Sequence, residues 1–163
     1  MTERKAVRLK DWDYGSPGVY FITVCAKERK PLFGRVVGGG VLDAPTVALT
    51  PEGMALRDQI ADLDRSCADV TVDALVIMPN HVHILLRVEE GPSGTPAPTS
   101  RANQTVPRVI AAMKRLCNRK CGRQLFQRGF YDHIIRDQDD YDRVRVYMAE
   151  NPAKWVEDPE YVQ

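Results

Sequence analysis

The sequence predicts an α+β fold: a strand, a helix and two strands, then a second helix, a fourth strand and a closing helix. Three observations carry that reading. Runs rich in β-branched and aromatic residues at 19–25, 70–77 and 81–88 have the composition of strands. Apolar residues recur at helical spacing from Met54 to Leu63 and from Val106 to Cys117. Asp137, followed by Asp139 and Asp140, marks the start of a third helix that Pro152 stops.

In chain order, a Gly/Ser/Pro turn leads into the first strand, and residues 34–45 carry four glycines and a proline. That stretch reads as a loop holding a small hairpin through 35–37 and 40–42. It lacks the Gly-Lys-Ser/Thr ending of a phosphate-binding loop. Thr50 followed by Pro51 and Glu52 is a helix start, with Thr as N-cap and Pro at the first position, and the helix runs to about Asp64. Met78-Pro79-Asn80 is a turn between the second and third strands, which are expected to pair antiparallel. Residues 89–107 hold prolines, glycines and serines with almost no apolar content, a flexible connector within one domain spanning 1–163. A basic amphipathic helix follows over 107–121, with Gly122 as its C-cap, and 129–136 is a short fourth strand. This order is the ferredoxin-like (RRM-like) split βαβ antiparallel sheet with an added C-terminal helix. The fold serves many activities, so function must be read from side chains.

The chain has 163 residues and 18.4 kDa, 44% hydrophobic and 28% charged, with a mean hydropathy of −0.35. No stretch approaches the ~20 apolar residues of a membrane span. The charged opening MTERKAVRLKDWDYG reads as no signal peptide. Cys25, Cys67, Cys117 and Cys121 lack zinc-like spacing and read as reduced thiols, so a cytosolic location is expected.

A net charge of +1 conceals a strong segregation. Residues 101–128 contain eight Lys or Arg and no acid, a second basic group (Arg4, Lys5, Arg8, Lys10) opens the chain, and acids gather at 58–73 and 137–142. Such a surface attracts a polyanion. Arg108, Lys114, Arg115, Arg119, Lys120, Arg128 and Arg136 are the candidate phosphate contacts; a merely solvated basic face is the alternative.

His81 and His83 flank Val82 in the third strand. Alternation puts both imidazoles on one face and Val82 in the core, and two imidazoles so placed can share a divalent metal. Surface histidines on a half-exposed strand are the alternative. Tyr147 and Asn151 are four apart on the last helix, so phenol and carboxamide share a face. An Asn oxygen suits a hard cation and a Tyr oxygen can act as a nucleophile; a core Tyr and a helix-ending Asn are the alternative. The Cys117/Cys121 pair has no His at ligand spacing, no Gly-x-Ser-x-Gly elbow occurs, and His133 reads either as structural or as a support behind the site residues.

Together, Met78-Pro79-Asn80-His81-Val82-His83, Gln127-Arg128-Gly129-Phe130-Tyr131-Asp132-His133-Ile134-Ile135-Arg136 and Tyr147-Met148-Ala149-Glu150-Asn151-Pro152 resemble the single-tyrosine HUH transposases. The closest resemblance is to the REP-associated tyrosine transposases, relatives of the insertion-sequence 200/605-like transposases. It takes in the first strand as well, and only the 89–107 connector is longer than usual. The resemblance implies that His81, His83 and Asn151 hold Mg²⁺ or Mn²⁺ and that Tyr147 is the nucleophile. Tyr141 competes for that role, but at ten residues before Asn151 it shares a face with it less well. It further implies an endonuclease and strand transferase that forms a 5′-phosphotyrosine on single-stranded or hairpin DNA containing palindromic repeats. Relatives of this kind occur as homodimers or monomers. A hairpin-binding host protein of the same fold, with little turnover, is the alternative.

Overall fold

The computed structural model describes residues 12–90 and 104–161. The expected elements are present: β1 (Gly18–Cys25), α1 (Pro51–Ala61), β4 (Val70–Ile77), β5 (His81–Val88), α3 (Thr105–Cys121), β6 (Tyr131–Ile134) and α4 (Gln138–Glu150). Two more strands, β2 (Gly34–Val37) and β3 (Thr46–Leu49), form a separate hairpin, and a one-turn helix α2 (Leu63–Ser66) follows α1. The main sheet has the order β4-β5-β1-β6, antiparallel throughout. β5 therefore lies between the two strands that α1 connects, which is the split βαβ arrangement.

Local chemistry sets the boundaries. The Thr50 side chain accepts from Gly53 N at 3.1 Å and donates to Leu32 O at 2.6 Å, closing the start of α1. Gly53 is obligatory, because a Cβ there would stand 1.9 Å from the Phe33 carbonyl oxygen. Asp137 caps α4 by accepting from Asp140 N at 2.8 Å, and Gly122 ends α3 in the left-handed region at φ 66°. Met78 N donates to His81 O at 2.8 Å, which tightens the turn that starts β5.

Alternation along β5 divides its side chains between two layers. Val82, Ile84 and Leu86 join Tyr20, Ile22 and Val24 of β1 in the main core, packed against Leu56 and Ile60 of α1 and Val109, Ile110 and Met113 of α3. Fully burying one such aliphatic chain stabilises by ~2 kcal/mol. The opposite face carries His81, His83 and Leu85, and α4 lies over it with Met148 against Leu85 and Val19. The histidines therefore stand beneath the C-terminal helix.

Two expectations change. The second arm of the hairpin is Thr46–Leu49, because register runs Gly34↔Leu49 to Val37↔Thr46, and Val41 and Leu42 are exposed in the turn. The helix beginning at Pro51 breaks at Asp62, so its last turn is α2. The Arg4/Lys5/Arg8/Lys10 group and most of the 89–107 connector lie outside the described residues. Among the described residues no helix is long and apolar enough to cross a membrane.

Candidate active site

His81 and His83 are buried and turn their Nε2 atoms to within 3.0 Å of each other. Each Nδ1 is held from behind. Asn80 Nδ2 donates to the Arg29 and Glu160 carbonyls at 3.1 and 2.7 Å, so its oxygen faces the other way. Asn80 Oδ1 lies 2.9 Å from His81 Nδ1 and accepts from it, which leaves His81 Nε2 as a lone pair. Thr23 Oγ1 lies 2.8 Å from His83 Nδ1 and can donate or accept. When it accepts, both Nε2 lone pairs aim at one point, the disposition a cation requires. Burial pushes the His81 ring below its ordinary value, against the pull of Asp158, Glu160 and the Asn151 amide. Burial, and then the neighbouring His81, pushes His83 well below its ordinary value. Both rings are therefore held in the neutral form that ligates metals.

α4 supplies the other wall. Tyr147 Oη lies 3.5 Å from His83 Nε2, and the residue as a whole is 40% exposed. The Phe21 ring meets Tyr147 edge-on with centroids 6.0 Å apart and also contacts His83 at 5.0 Å. One turn further on, Asn151 is buried, donates from Nδ2 to Asp158 Oδ2 at 2.5 Å, and buries Oδ1 without a hydrogen-bond partner.

Asp158 is the residue that sequence reasoning missed. It follows the short 3₁₀ turn Trp155–Glu157, which folds the chain back beneath α4. Its fully buried side chain accepts from Tyr147 Oη at 3.3 Å and lies 3.8 Å from His81 Nε2. Ligand atoms of His81, His83 and Asp158 all lie within 4.8 Å of one another, so this group could hold a metal ion. A buried carboxylate stands beside the expected set of His81, His83 and Asn151, with the Asn151 amide nitrogen turned toward it. The fit to a divalent cation is nevertheless good, with two neutral imidazoles, a buried carboxylate and an orphaned carboxamide oxygen together. Burial first, and then the Asp158 charge, pushes the Tyr147 phenol up to about 12. Cys25 stands opposite His81 in register, and burial and then Glu160 push its thiol up to about 12.

The C-terminal segment covers this group. Trp155 lies over His81 with centroids 5.9 Å apart, Tyr161 meets Trp155 edge-on at 5.2 Å, and Glu160 pairs with Arg29 at 3.2 Å. His81 is 0% exposed as a result.

The remaining predicted residues are dispersed. The Tyr141 hydroxyl donates to Asp73 at 3.2 Å, away from the histidines, so Tyr147 is the tyrosine brought to them. His133 pairs with Asp140 at 2.8 Å, in keeping with a structural role. Lys114 does not stand free for a phosphate: its Nζ donates to the carbonyls of Gln127, at 2.9 Å, and Gly129, and lies 6.0 Å from the Phe126 ring centroid. Arg108 pairs with Asp69 at 3.0 Å and Lys120 with Asp58 at 3.7 Å. Arg115, Arg119 and Arg128 are exposed and line an open groove of about 800 Å³ beside the end of α3. Arg136 lines a separate cavity of about 340 Å³ with Arg87.

No family model matches the sequence. A Haemophilus influenzae protein described as uncharacterized is 29% identical over 174 residues, covering 98% of this chain and 93% of the relative. The solved structure of a REP-associated tyrosine transposase bound to a REP hairpin superposes with a TM-score of 0.62 at 23% identity, covering 95% of this chain and 74% of that one. The four-stranded antiparallel sheet with its flanking helices is therefore the fold of a REP-associated tyrosine transposase.

Proposed function

We propose that this protein is a transposase-like, metal-dependent single-stranded DNA endonuclease and strand transferase that acts on hairpin DNA. One observation carries the proposal: the hydroxyl of the partly exposed Tyr147 stands 3.5 Å from one of two buried histidines that converge through their Nε2 atoms. The similar solved structure, that of a transposase bound to a hairpin, supports hairpin DNA as the partner.

His81, His83 and Asp158, with Asn151 Oδ1 beside them, would hold Mg²⁺ or Mn²⁺, which when bound neutralises charge on the scissile phosphate. Tyr147 Oη attacks phosphorus and the P–O3′ bond breaks, leaving a 5′-phosphotyrosine and a 3′-oxygen that takes a proton. Asp158 Oδ2, already the acceptor of the phenol hydrogen bond, receives the tyrosine proton. Attack of a second 3′-OH reverses the step and frees the phenolate, so joining needs no nucleotide cofactor. Phe21 keeps the Tyr147 ring edge-on and in place. Arg115, Arg119 and Arg128 hold backbone phosphates.

The test is a denaturing gel of the protein with Mn²⁺ and a hairpin-bearing strand. A slowly migrating covalent adduct, absent in Tyr147→Phe, is expected; its absence from the wild type at any metal concentration overturns the reading. A second reading, a hairpin-binding protein with little turnover, is favoured by the closure of Trp155 and Glu160 over the histidines. Hairpin binding without nicking would select it.

A further inference from the structure

One exposed aromatic ring that shares a cavity with Tyr147 has no assigned task. Tyr131, on β6, is 45% exposed, and among the described residues its side chain makes no hydrogen bond or ring contact. Register puts it in line with the site: Thr23 pairs with Tyr131 on one side and His83 on the other, so all three stand in one row on the α4 face. Tyr131 and Phe21 line a cavity of about 160 Å³ that also reaches Tyr147, His83 and Asp158. On its other side Tyr131 lines a small recess of about 50 Å³ with Gln127, Arg128 and Gly129. Those last three residues also line the arginine groove beside α3. Tyr131 thus sits where a track of positive charge meets the phenol of Tyr147.

We infer that Tyr131 is a stacking platform for an unpaired nucleobase beside the phosphate presented to Tyr147; the inference rests on the DNA-processing reading above. Chemistry selects this occupant. The groove offers guanidinium groups for a polyanion, and the junction offers an exposed ring face with no partner of its own. A single-stranded nucleic acid alternates those two demands, phosphate and planar base, along its length. Lys114 contributes by holding the Gln127–Gly129 carbonyls, which fixes the loop leading into β6.

The test uses the full chain in EDTA, so that binding is read without cleavage. Hairpin oligonucleotides with single-stranded arms carry 2-aminopurine at successive arm positions, and affinity is read by anisotropy in the same titration. Wild type is expected to quench the probe at one position or two adjacent ones. Tyr131→Phe should keep the quenching, while Tyr131→Leu should lose it and bind roughly tenfold more weakly. Quenching and affinity unchanged in Tyr131→Leu would overturn the stacking assignment and leave the endonuclease reading intact. A wild type that binds no hairpin and forms no adduct with Mn²⁺ would overturn both.

Discussion

The Tyr147 hydroxyl donates to Asp158 Oδ2 across 3.3 Å, and Asn151, one helical turn later, donates to the same oxygen at 2.5 Å. One carboxylate oxygen from the C-terminal segment thus gathers the two α4 residues next to the histidines. Its charge is also among the causes that push the Tyr147 phenol up to about 12, after burial itself. Any positive charge that neutralises Asp158 therefore makes the phenol easier to ionise.

Tyrosine exchange separates nucleophile from scaffold. Tyr147→Phe should abolish the covalent adduct. Tyr141→Phe should retain it and cost ~1 kcal/mol of stability through the lost bond to Asp73, read by urea denaturation. An adduct that survives Tyr147→Phe but not Tyr141→Phe would reverse the assignment.

Removing donors should separate cutting from holding. His81→Ala and His83→Ala should abolish Mn²⁺ binding in calorimetry and strand cleavage, yet leave hairpin affinity within about twofold, because binding rests on the arginine groove. Asp158→Asn should weaken Mn²⁺ binding at least ~10-fold, since it removes charge from the cluster. Equal Mn²⁺ affinity in Asp158→Asn and wild type would exclude the carboxylate from the set.

Acid should unfold the metal-free protein through the same two rings. Their folded pKa values lie below the unfolded value of ~6.5, so between the two values the unfolded chain binds more protons. Stability from this source is complete above pH ~6.5 and is lost as pH falls below it. The melting temperature in EDTA is expected to drop from pH 7 to pH 5, and His83→Gln should flatten that slope. An identical slope in the variant would assign the acid sensitivity to other groups.

Salt dependence locates the phosphate contacts. Replacing Arg115, Arg119 and Arg128 with Gln should flatten log K against log salt by about 0.7 for each lost contact. Lys114→Gln should leave the slope unchanged, since that ammonium is committed to backbone carbonyls. An unchanged slope in the triple variant would mean that the groove is merely solvated.

Much of this arrangement was legible in residue order. The β-branched runs that form β4 and β5 have boundaries at the residues their composition indicates, and with those boundaries alternation alone puts His81 and His83 on one face. The i,i+4 relation of Tyr147 and Asn151 was equally readable, because a helix imposes it. Asp158 was not, since it follows a short 3₁₀ turn whose Trp155 packs on His81, and such a turn carries no period. The commitment of Lys114 was hidden for a related reason: its partners are backbone carbonyls, which composition does not reveal. The second hairpin arm was misplaced because glycines at 38–40 suggested a tight turn, whereas the chain takes the longer way round to Thr46.

The C-terminal origin of Asp158 has a consequence for biosynthesis. On the ribosome, β5 and its histidines emerge well before Tyr147, Asn151 and Asp158, which lie further along the chain. A nascent polypeptide can build its sheet core and still hold only two imidazoles, with neither a phenol nor a carboxylate to work with. The His81, His83 and Asp158 cluster therefore closes only after the sheet core that presents the histidines has been made.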